Sequence, residues 1–253
     1  FYKRDKMNTT KKSLLRYPGG KTRAVKILKG CIPEATKEVT SLFFGGGSFE
    51  FYLVSQGVKV NAYDNFDLLV TFWQEVKHNR EKLVTEVLKH FPQLQKVDFY
   101  KMQKDITSEK DPLKIASMFY VLNRCSFSGA GLSGGMSPNH ERFTANQIEE
   151  LRNFKTDILV ERKSFEDSID LHEGLIFADP PYLIDQKLYG VKGDMHSGFN
   201  HELLSKKLKT RGNFILTYNN SEVIKELYSG CTIEETSWAY GMNKTRKSSE
   251  LII

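Results

Sequence analysis

The most constraining feature of the sequence is a strand, a glycine loop, a helix and a second strand in direct succession. Residues 38–44 (EVTSLFF) have the pattern of a buried strand and end in the glycines at 45–47. A helical pattern follows at 48–56, and residues 58–63 (VKVNAY) alternate as a strand that stops at Asp64. Strands joined through a helix are parallel neighbours, so this unit predicts the first part of an open α/β sheet.

The rest of the chain predicts more strands of the same sheet and one insertion. A helix pattern at 221–228 accompanies strand patterns at 157–160, 174–178, 213–218 and 250–253. Residues 66–156 have a mostly helical pattern, apart from a glycine-rich stretch at 126–139 that favours a loop or a twisted hairpin. We therefore predict one domain of residues 7–65 and 157–253, with residues 66–156 as an inserted subdomain that carries a hairpin at 124–144.

Composition narrows the class of protein. The 253 residues are 40% hydrophobic and 27% charged, which is typical of a globular chain. No apolar run approaches the roughly 18 residues that span a bilayer, so no membrane partner is predicted. The cysteines Cys31, Cys125 and Cys231 have no paired spacing, which favours a reducing, intracellular and cytoplasmic setting.

Positive charge is concentrated at the beginning of the chain. Residues 1–30 contain ten lysines and arginines against the single acidic residue Asp5, although the whole chain has a net charge of only +6. Such a basic end favours a polyanion partner, nucleic acid first. On charge alone, a lysine-rich segment that is merely solvated is an equal alternative.

Three predicted strand ends carry residues suited to a ligand: the glycines at 45–47, Asp64, and the segment 179–182. Ligands of open α/β sheets bind beyond the carboxyl ends of the strands, so we expect these residues to converge. The glycines let backbone approach a ligand, and Asp64 can accept the hydroxyls of a ribose. Because Glu50 replaces the third glycine of a dinucleotide fingerprint, a pyrophosphate is not specifically indicated, and a structural tight turn stays open.

A second glycine pair lies in residues 16–22 (RYPGGKT). It resembles the end of a phosphate loop, but Leu15 replaces the first glycine, which argues against nucleoside triphosphate hydrolysis. Tyr17 and Lys21 put an aromatic surface and a cation beside flexible backbone, which indicates a wall of a ligand site. A plain turn before a helix is the other interpretation.

The sharpest chemical signal is Asp179-Pro180-Pro181-Tyr182. Two successive prolines remove two backbone donors, so the Asp179 carboxylate and the carbonyls beside it present only hydrogen-bond acceptors. Such acceptors suit an NH2 group, whose two hydrogens the Asp179 carboxylate and the Pro180 carbonyl can take. Tyr182 can stack on a nucleobase, which must leave its duplex to reach this site.

In this order, RYPGGK, FFGGGSF, YDN and DPPY resemble the motifs of the Dam-type (class alpha) DNA adenine-N6 methyltransferases. The resemblance implies a Rossmann-like, open, twisted and mostly parallel sheet that binds S-adenosylmethionine, with residues 66–156 as a helical and hairpin DNA-recognition subdomain. The catalytic residues that it implies are Asp179, Pro180, Pro181 and Tyr182. The cofactor site that it implies consists of Tyr17, Gly19, Gly20, Lys21, Phe43, Gly45, Gly47, Asp64, Asn65 and Asp179.

The resemblance also implies contacts with double-stranded DNA. Asn123-Arg124 with Phe127 and Gly129 is similar to the family's segment at the DNA-binding hairpin. Ser128 stands where the family often has asparagine, and the basic residue that often follows Gly129 is missing, so the DNA sequence that is read is not predicted. The candidate contacts are Arg124, Phe127, Ser128, Asn139, His140 and Arg142.

Further expectations accompany this hypothesis. The spacing of Asp194, His196 and His201 matches no zinc signature, so no metal is predicted. We expect a monomer or weak dimer, with functional pairing to a restriction endonuclease as an additional hypothesis. The alternatives left open are cytosine-N4 methylation, methylation of RNA or a protein amide, and an inactive nucleic-acid-binding module that retains a cofactor pocket. Asp179 argues against the first two, in which serine or asparagine more often takes its place.

Overall fold

The computed structural model describes residues 12–17, 20–22, 24–92, 94–137, 142–183, 198–239 and 247–253. The helices in these ranges are α1 (Val25–Cys31), α2 (Ser48–Ser55), α3 (Asp67–His78), α4 (Arg80–Leu88), α5 (Lys96–Asp105), α6 (Pro112–Cys125), α7 (Ala145–Arg152), α8 (Phe165–Ser168), α9 (His201–Arg211) and α10 (Glu222–Leu227). The strands are β1 (Glu38–Ser41), β2 (Lys59–Asp64), β3 (Val160–Arg162), β4 (Leu175–Ala178), β5 (Phe214–Asn219), β6 (Glu234–Ala239) and β7 (Lys247–Ile252). Across these ranges, every helix is too short or too polar to cross a membrane.

The described strands form one sheet in the order β3-β2-β1-β4-β5-β7-β6. Five neighbouring strands, β3, β2, β1, β4 and β5, run parallel. Val39 of β1 lies beside Val60 of β2 and Leu175 of β4. β7 is antiparallel to both β5 and β6. The predicted fold class, an open and mostly parallel α/β sheet, is confirmed.

Two strands differ from the sequence-based expectation. β3 begins at Val160, which is the last residue of the strand predicted at 157–160. The sequence pattern does not reveal β6 at all, because it begins with Glu234 and Glu235 and pairs only with β7 among the described strands. A strand with a single neighbour can expose charged side chains, so it lacks the apolar run by which central strands are recognised.

Helices cover both faces of the sheet because the central strands are buried on both sides. In β4, Leu175 and Phe177 join the cluster that contains α1 and α2, whereas Ile176 and Ala178 join the cluster that contains α9 and α10. Side chains alternate between the faces of a strand, so the run LIFA contributes to two cores. Each large apolar side chain buried in this way contributes about 1.5–3 kcal/mol to stability.

The helices between β2 and β3 pack onto the sheet without a core of their own. Phe44 and Val160, from the sheet side, share one apolar cluster with the side chains of α3 to α7. The ring of Phe44 meets Trp73 of α3 edge-on, with the centroids 5.6 Å apart. Phe72 of α3 stacks on Tyr120 of α6 at 5.8 Å. The inserted segment is thus held against the edge of the sheet that β2 and β3 form.

A narrow loop follows α6. It closes where the N–H of Phe127 donates to the carbonyl of Gly135 over 2.8 Å. Gln103 of α5 supports the far side, since its amide donates to the carbonyls of Gly131 and Gly134 over 2.6 and 2.8 Å. This loop forms part of the predicted hairpin, of which residues 138–141 lie outside the described residues.

We expect Gly47→Ala to lower the free energy of unfolding by about 3 kcal/mol, because left-handed backbone strain and overpacking combine. Gly47 has a φ of 66°, and an added Cβ would lie 2.4 Å from the Phe44 ring and 2.8 Å from the Phe51 ring. Urea denaturation measures the loss. The matched control is Gly57→Ala, at a φ of 84° with open space, where about 1 kcal/mol is expected. Equal losses would contradict the packing explanation.

Candidate active site

The carboxyl ends of β1, β2 and β4 border a cavity of about 370 Å³. Parallel neighbours end at the same edge of a sheet, which explains why residues far apart in sequence meet here. Most of the predicted cofactor and catalytic residues line it: Tyr17, Gly20, Lys21, Phe43, Gly45, Gly47, Asp64, Asn65, Asp179, Pro180, Pro181 and Tyr182. Gly19 lies outside the described residues.

Asp64 ends β2 with its carboxylate held by backbone. Its Oδ2 accepts from the N–H of Gly45 and its Oδ1 accepts from the N–H of Phe66, both over 2.9 Å. Burial raises the pKa of this carboxyl and outweighs the hydrogen bonds, which lower it. Each carboxylate oxygen has two lone pairs, so Asp64 retains acceptor capacity for hydroxyl groups of a ligand.

The glycine loop forms a thin wall against Tyr17. A Cβ at Gly45 would lie 3.0 Å from the Tyr17 ring, and one at Gly46 would lie 3.0 Å from the Tyr17 Cβ. Trp73 supports the loop, because its Nε1 donates to the carbonyl of Gly45 over 3.0 Å. Side chains at these glycines would therefore displace the aromatic ring that borders the cavity.

Lys21 and Asp179, 158 residues apart in sequence, form an ion pair in the cavity wall. The Nζ of Lys21, which is 4% exposed, lies 2.6 Å from Oδ1 and 2.7 Å from Oδ2 of Asp179. Thr217 of β5 donates its hydroxyl to Oδ1 over 2.6 Å. With two donors on Oδ1 and one on Oδ2, a further acceptor position is left on Oδ2. The sequence places Lys21 in the site, but it reveals neither this pairing nor the role of Thr217.

Packing sets the position of Tyr182. Its ring stacks on Tyr218 of β5 with the centroids 5.8 Å apart, and the Nζ of Lys21 lies 5.0 Å from its centroid. Tyr218 is fully buried, and its hydroxyl is hydrogen-bonded to the ring of His201 at the start of α9. The aromatic surface that follows Asp179 is thus pre-positioned.

Glu50 of α2 is a cavity residue that the sequence-based prediction misses. It is 2% exposed, and its Oε1 accepts from the hydroxyl of Ser41 over 2.6 Å. The pKa of Glu50 is raised to about 7, chiefly by burial; the charge of Asp179 contributes to the rise, while the Ser41 hydrogen bond and Lys21 oppose it. The sequence signal is a carboxylate inside the otherwise apolar helical run FEFYLV, where an isolated charge would be costly.

Asn123 and Arg124 are interior residues. The Asn123 amide donates to the carbonyls of Arg16 and Gly129, and its Oδ1 accepts from the N–H of Arg16, each over 3.0 Å. Arg124 is 7% exposed and donates to the carbonyl of Leu14 over 2.6 Å. This placement corrects the predicted DNA contact of Arg124: its guanidinium holds the segment before Tyr17 and does not face solvent.

Other predicted DNA contacts lie on the surface. Phe127 is 58% exposed, and Ser128 and Arg142 are also exposed. Ser128 has a φ of 56°, so the backbone is in the left-handed region at the tip beside Phe127. Asn139 and His140 lie outside the described residues.

Arg16 adds a cation that the sequence-based prediction of DNA contacts omits. Its Nη1 donates to the carbonyl of Ser126 over 3.1 Å, at the base of the loop that carries Phe127. The pKa of Arg16 is lowered to about 10, chiefly by partial burial and in addition by the charges of Arg142 and Arg124. Cations that repel one another in this way form a local positive potential that an anion would relieve.

A metal site is not apparent in the described ranges, where no three His, Cys, Asp or Glu side chains form a suitable group. His201 instead bonds to Tyr218. Asp194 and His196 lie outside these ranges.

The sheet, the cavity at its carboxyl edge and the DPPY segment define an enzyme of the methyltransferase class. A family model for D12 class N6 adenine-specific DNA methyltransferases matches residues 17–242, and the chain belongs to this family. It is similar to the Type II methyltransferase M.CviBI of Paramecium bursaria Chlorella virus NC1A, with 23% identity over 255 residues that cover 95% of this chain and 96% of that protein. The prediction of an enzyme that methylates adenine in DNA is confirmed.

We expect Asn123→Ala to lower the free energy of unfolding by about 2–3 kcal/mol, because buried backbone groups of Arg16 and Gly129 lose their partners. Chemical denaturation monitored by circular dichroism measures the change. Asn153→Ala is the control, since this exposed side chain at the end of α7 bonds, within the described part of the chain, to the carbonyl of Glu149 and its loss should cost less than about 0.5 kcal/mol. Similar losses in both variants would show that Asn123 does not anchor the segment.

Proposed function

We propose that the protein transfers a methyl group from S-adenosylmethionine to the N6 amine of an adenine that is flipped out of double-stranded DNA, as in the Dam-type (class alpha) enzymes. The observation that carries the proposal is the meeting, in one cavity, of Asp64, the glycine loop and the segment from Asp179 to Tyr182. Ribose recognition, close backbone approach and amine recognition are thereby available side by side.

The cavity suits this cofactor in its volume and in the side chains that line it. A volume of about 370 Å³ is in the range of small-molecule sites. Asp64 and Asn65 would hold the ribose, and Tyr17 and Phe43 would border the adenosine and methionine parts. The absence of a Cβ at Gly45 lets the glycine loop pack against the Tyr17 ring, and both border the cavity. When bound, S-adenosylmethionine supplies a methyl group activated by a sulfonium.

Asp179 and Pro180 would orient the amine. The acceptor position left on Oδ2 of Asp179 and the carbonyl of Pro180 take its two hydrogens, which aims the nitrogen lone pair into the cavity. Lys21 and Thr217 hold the carboxylate in place, so the orientation costs little when the base arrives. Pro181 keeps the backbone extended and free of competing donors. Placement therefore supplies most of the acceleration, with no need for a strong base.

Base flipping would use two aromatic residues. Extruding a base costs a few kcal/mol, which stacking has to offset. Tyr182 offers a pre-positioned ring next to Asp179 for the flipped adenine. Phe127, on the loop after α6, is exposed and can fill the space that the base leaves in the duplex.

The DNA backbone would be held by the cations around that loop. Arg142 is exposed, and Arg16 lies close enough for the two charges to repel. A phosphate between them would relieve the repulsion, and Ser128 is exposed at the same tip. Asn139 and His140 stay predicted contacts.

Partnership with a restriction endonuclease is part of the proposal, because the viral relative is named a Type II methyltransferase. We also infer a monomer or weak dimer. Membership of an adenine-specific family favours adenine over the cytosine, RNA and protein-amide alternatives. An inactive binding module is countered by the intact pairing of Asp179 with Lys21.

We expect Asp179→Ala to reduce methyl transfer by at least about 100-fold, because the amine loses its oriented acceptor. The assay incubates the protein with S-adenosylmethionine and unmethylated duplex DNA, digests to nucleosides and measures N6-methyladenine by mass spectrometry. Asp170→Ala, an exposed aspartate before β4, should retain wild-type activity. Undiminished activity of Asp179→Ala would refute the proposed role, and methylcytosine in place of methyladenine would refute the proposed base.

We expect Arg142→Gln to weaken duplex DNA binding and to lower the slope of log affinity against log salt by about 1, since one phosphate contact is lost. Fluorescence anisotropy across a salt series measures this slope. Lys59→Gln is the control, because Lys59 lies at the amino-terminal end of β2, whereas the cavity lies at the carboxyl ends of the strands. An unchanged slope for Arg142→Gln would remove this residue from the DNA surface.

A further inference from the structure

One buried carboxyl of the cavity, that of Glu50, has no part in the proposed methyl transfer. Glu50 is 2% exposed, borders the cavity and lies in a helix whose other large side chains are apolar. A buried carboxyl among apolar neighbours costs stability unless it is neutral or meets a partner. Ser41 meets only part of this need, since it donates to one oxygen of Glu50, and the carboxyl borders the cavity, where a ligand group can reach it.

The surroundings of Glu50 identify the kind of ligand group. Ser41 of β1 donates to its Oε1, which leaves several acceptor positions on a carboxyl with four lone pairs. The charged groups that act on it are Lys21 and Asp179, and Lys21 is bound to both oxygens of Asp179. A cationic group with hydrogens to donate would complement Glu50, whereas an anion would be repelled.

We propose that Glu50 binds the α-ammonium group at the amino-acid end of the cofactor. This inference rests on the proposed function. The cofactor has two cationic centres, and only the ammonium carries hydrogens that a carboxylate can accept. Strand order supports the placement: Ser41, which holds Glu50, ends β1, and β1 lies between β2 with Asp64 and β4 with Asp179. Neighbouring strands are about 4.8 Å apart, so all three carboxyls are within reach of one small ligand.

The ionisation of Glu50 adds a measurable consequence. Its pKa is about 7 without ligand, mainly through burial, so a substantial fraction of Glu50 carries a proton near neutral pH. An ammonium favours the charged carboxylate, so binding lowers this pKa and releases a proton. Affinity should therefore rise as pH rises through about 7. The groups that face Glu50 are Ser41, Lys21 and Asp179, of which the Lys21–Asp179 pair is present in both states.

The test compares two probes that differ in the amino-acid end. S-Adenosylhomocysteine contains the ammonium, and 5′-methylthioadenosine lacks the whole amino-acid group. By isothermal titration calorimetry, Glu50→Gln should weaken S-adenosylhomocysteine binding about 10–100-fold and change 5′-methylthioadenosine binding less than about 2-fold. Glu250→Gln, a buried carboxyl of β7 that does not line the cavity, is the control and should bind both probes as the wild type does.

A second measurement needs no variant, so it applies even if Glu50→Gln folds poorly. Titrations of the wild-type protein at pH 7 in two buffers of different ionisation enthalpy should show proton release with S-adenosylhomocysteine and none with 5′-methylthioadenosine. Equal weakening of both probes by Glu50→Gln, or no proton release, would overturn the inference. If S-adenosylhomocysteine binds both proteins equally, the inference fails while the cofactor assignment stands. If neither probe binds the wild type, the proposed cofactor itself fails, and the inference with it.

Discussion

The ion pair between Lys21 and Asp179 is the interaction on which the arrangement of the cavity depends. It joins the N-terminal segment to the end of β4, and both charges are withdrawn from water to different extents. Breaking such a pair leaves a buried charge without compensation, which costs several kcal/mol. The pair therefore holds the wall that carries Tyr17 against the strand end that carries the DPPY segment.

The sheet supplies the second constraint, because it decides which groups can approach a ligand together. β1 lies at the centre of the parallel strands, and the three glycines of its loop contribute backbone instead of side chains. The neighbouring strand β2 ends in Asp64, and Asp179 directly follows β4, so acceptors flank the loop on both sides. The antiparallel pair of β7 and β6 extends the sheet on the side of β5, where Thr217 reaches Asp179. The strand order thus brings sequence motifs that are far apart along the chain together in one site.

Local patterns in the sequence were sufficient to predict the parallel sheet and most of the cavity. Apolar runs reveal buried strands, and the residues that end them must meet at one edge, as Asp64 and Asp179 do. Interactions between residues far apart in the sequence could not be predicted from such local patterns. Arg124 was predicted to contact DNA through the resemblance of its segment to the family's hairpin, and nothing local indicates that its partner is the carbonyl of Leu14, 110 residues away. Glu50 was considered only as a missing glycine, since nothing local shows that Ser41 holds it in the cavity.

The hydrogen bonds of Asn123 connect the loop after α6 to the segment that carries Arg16 and Tyr17. Gly129 lies so close that an added Cβ would be 2.0 Å from the carbonyl oxygen of Arg16. One junction therefore joins the loop that carries Phe127 to the cavity wall that carries Tyr17. A change that rebuilt this junction would also shift Tyr17. Changes at the exposed tip of the loop, at Phe127 and Ser128, would leave the junction in place.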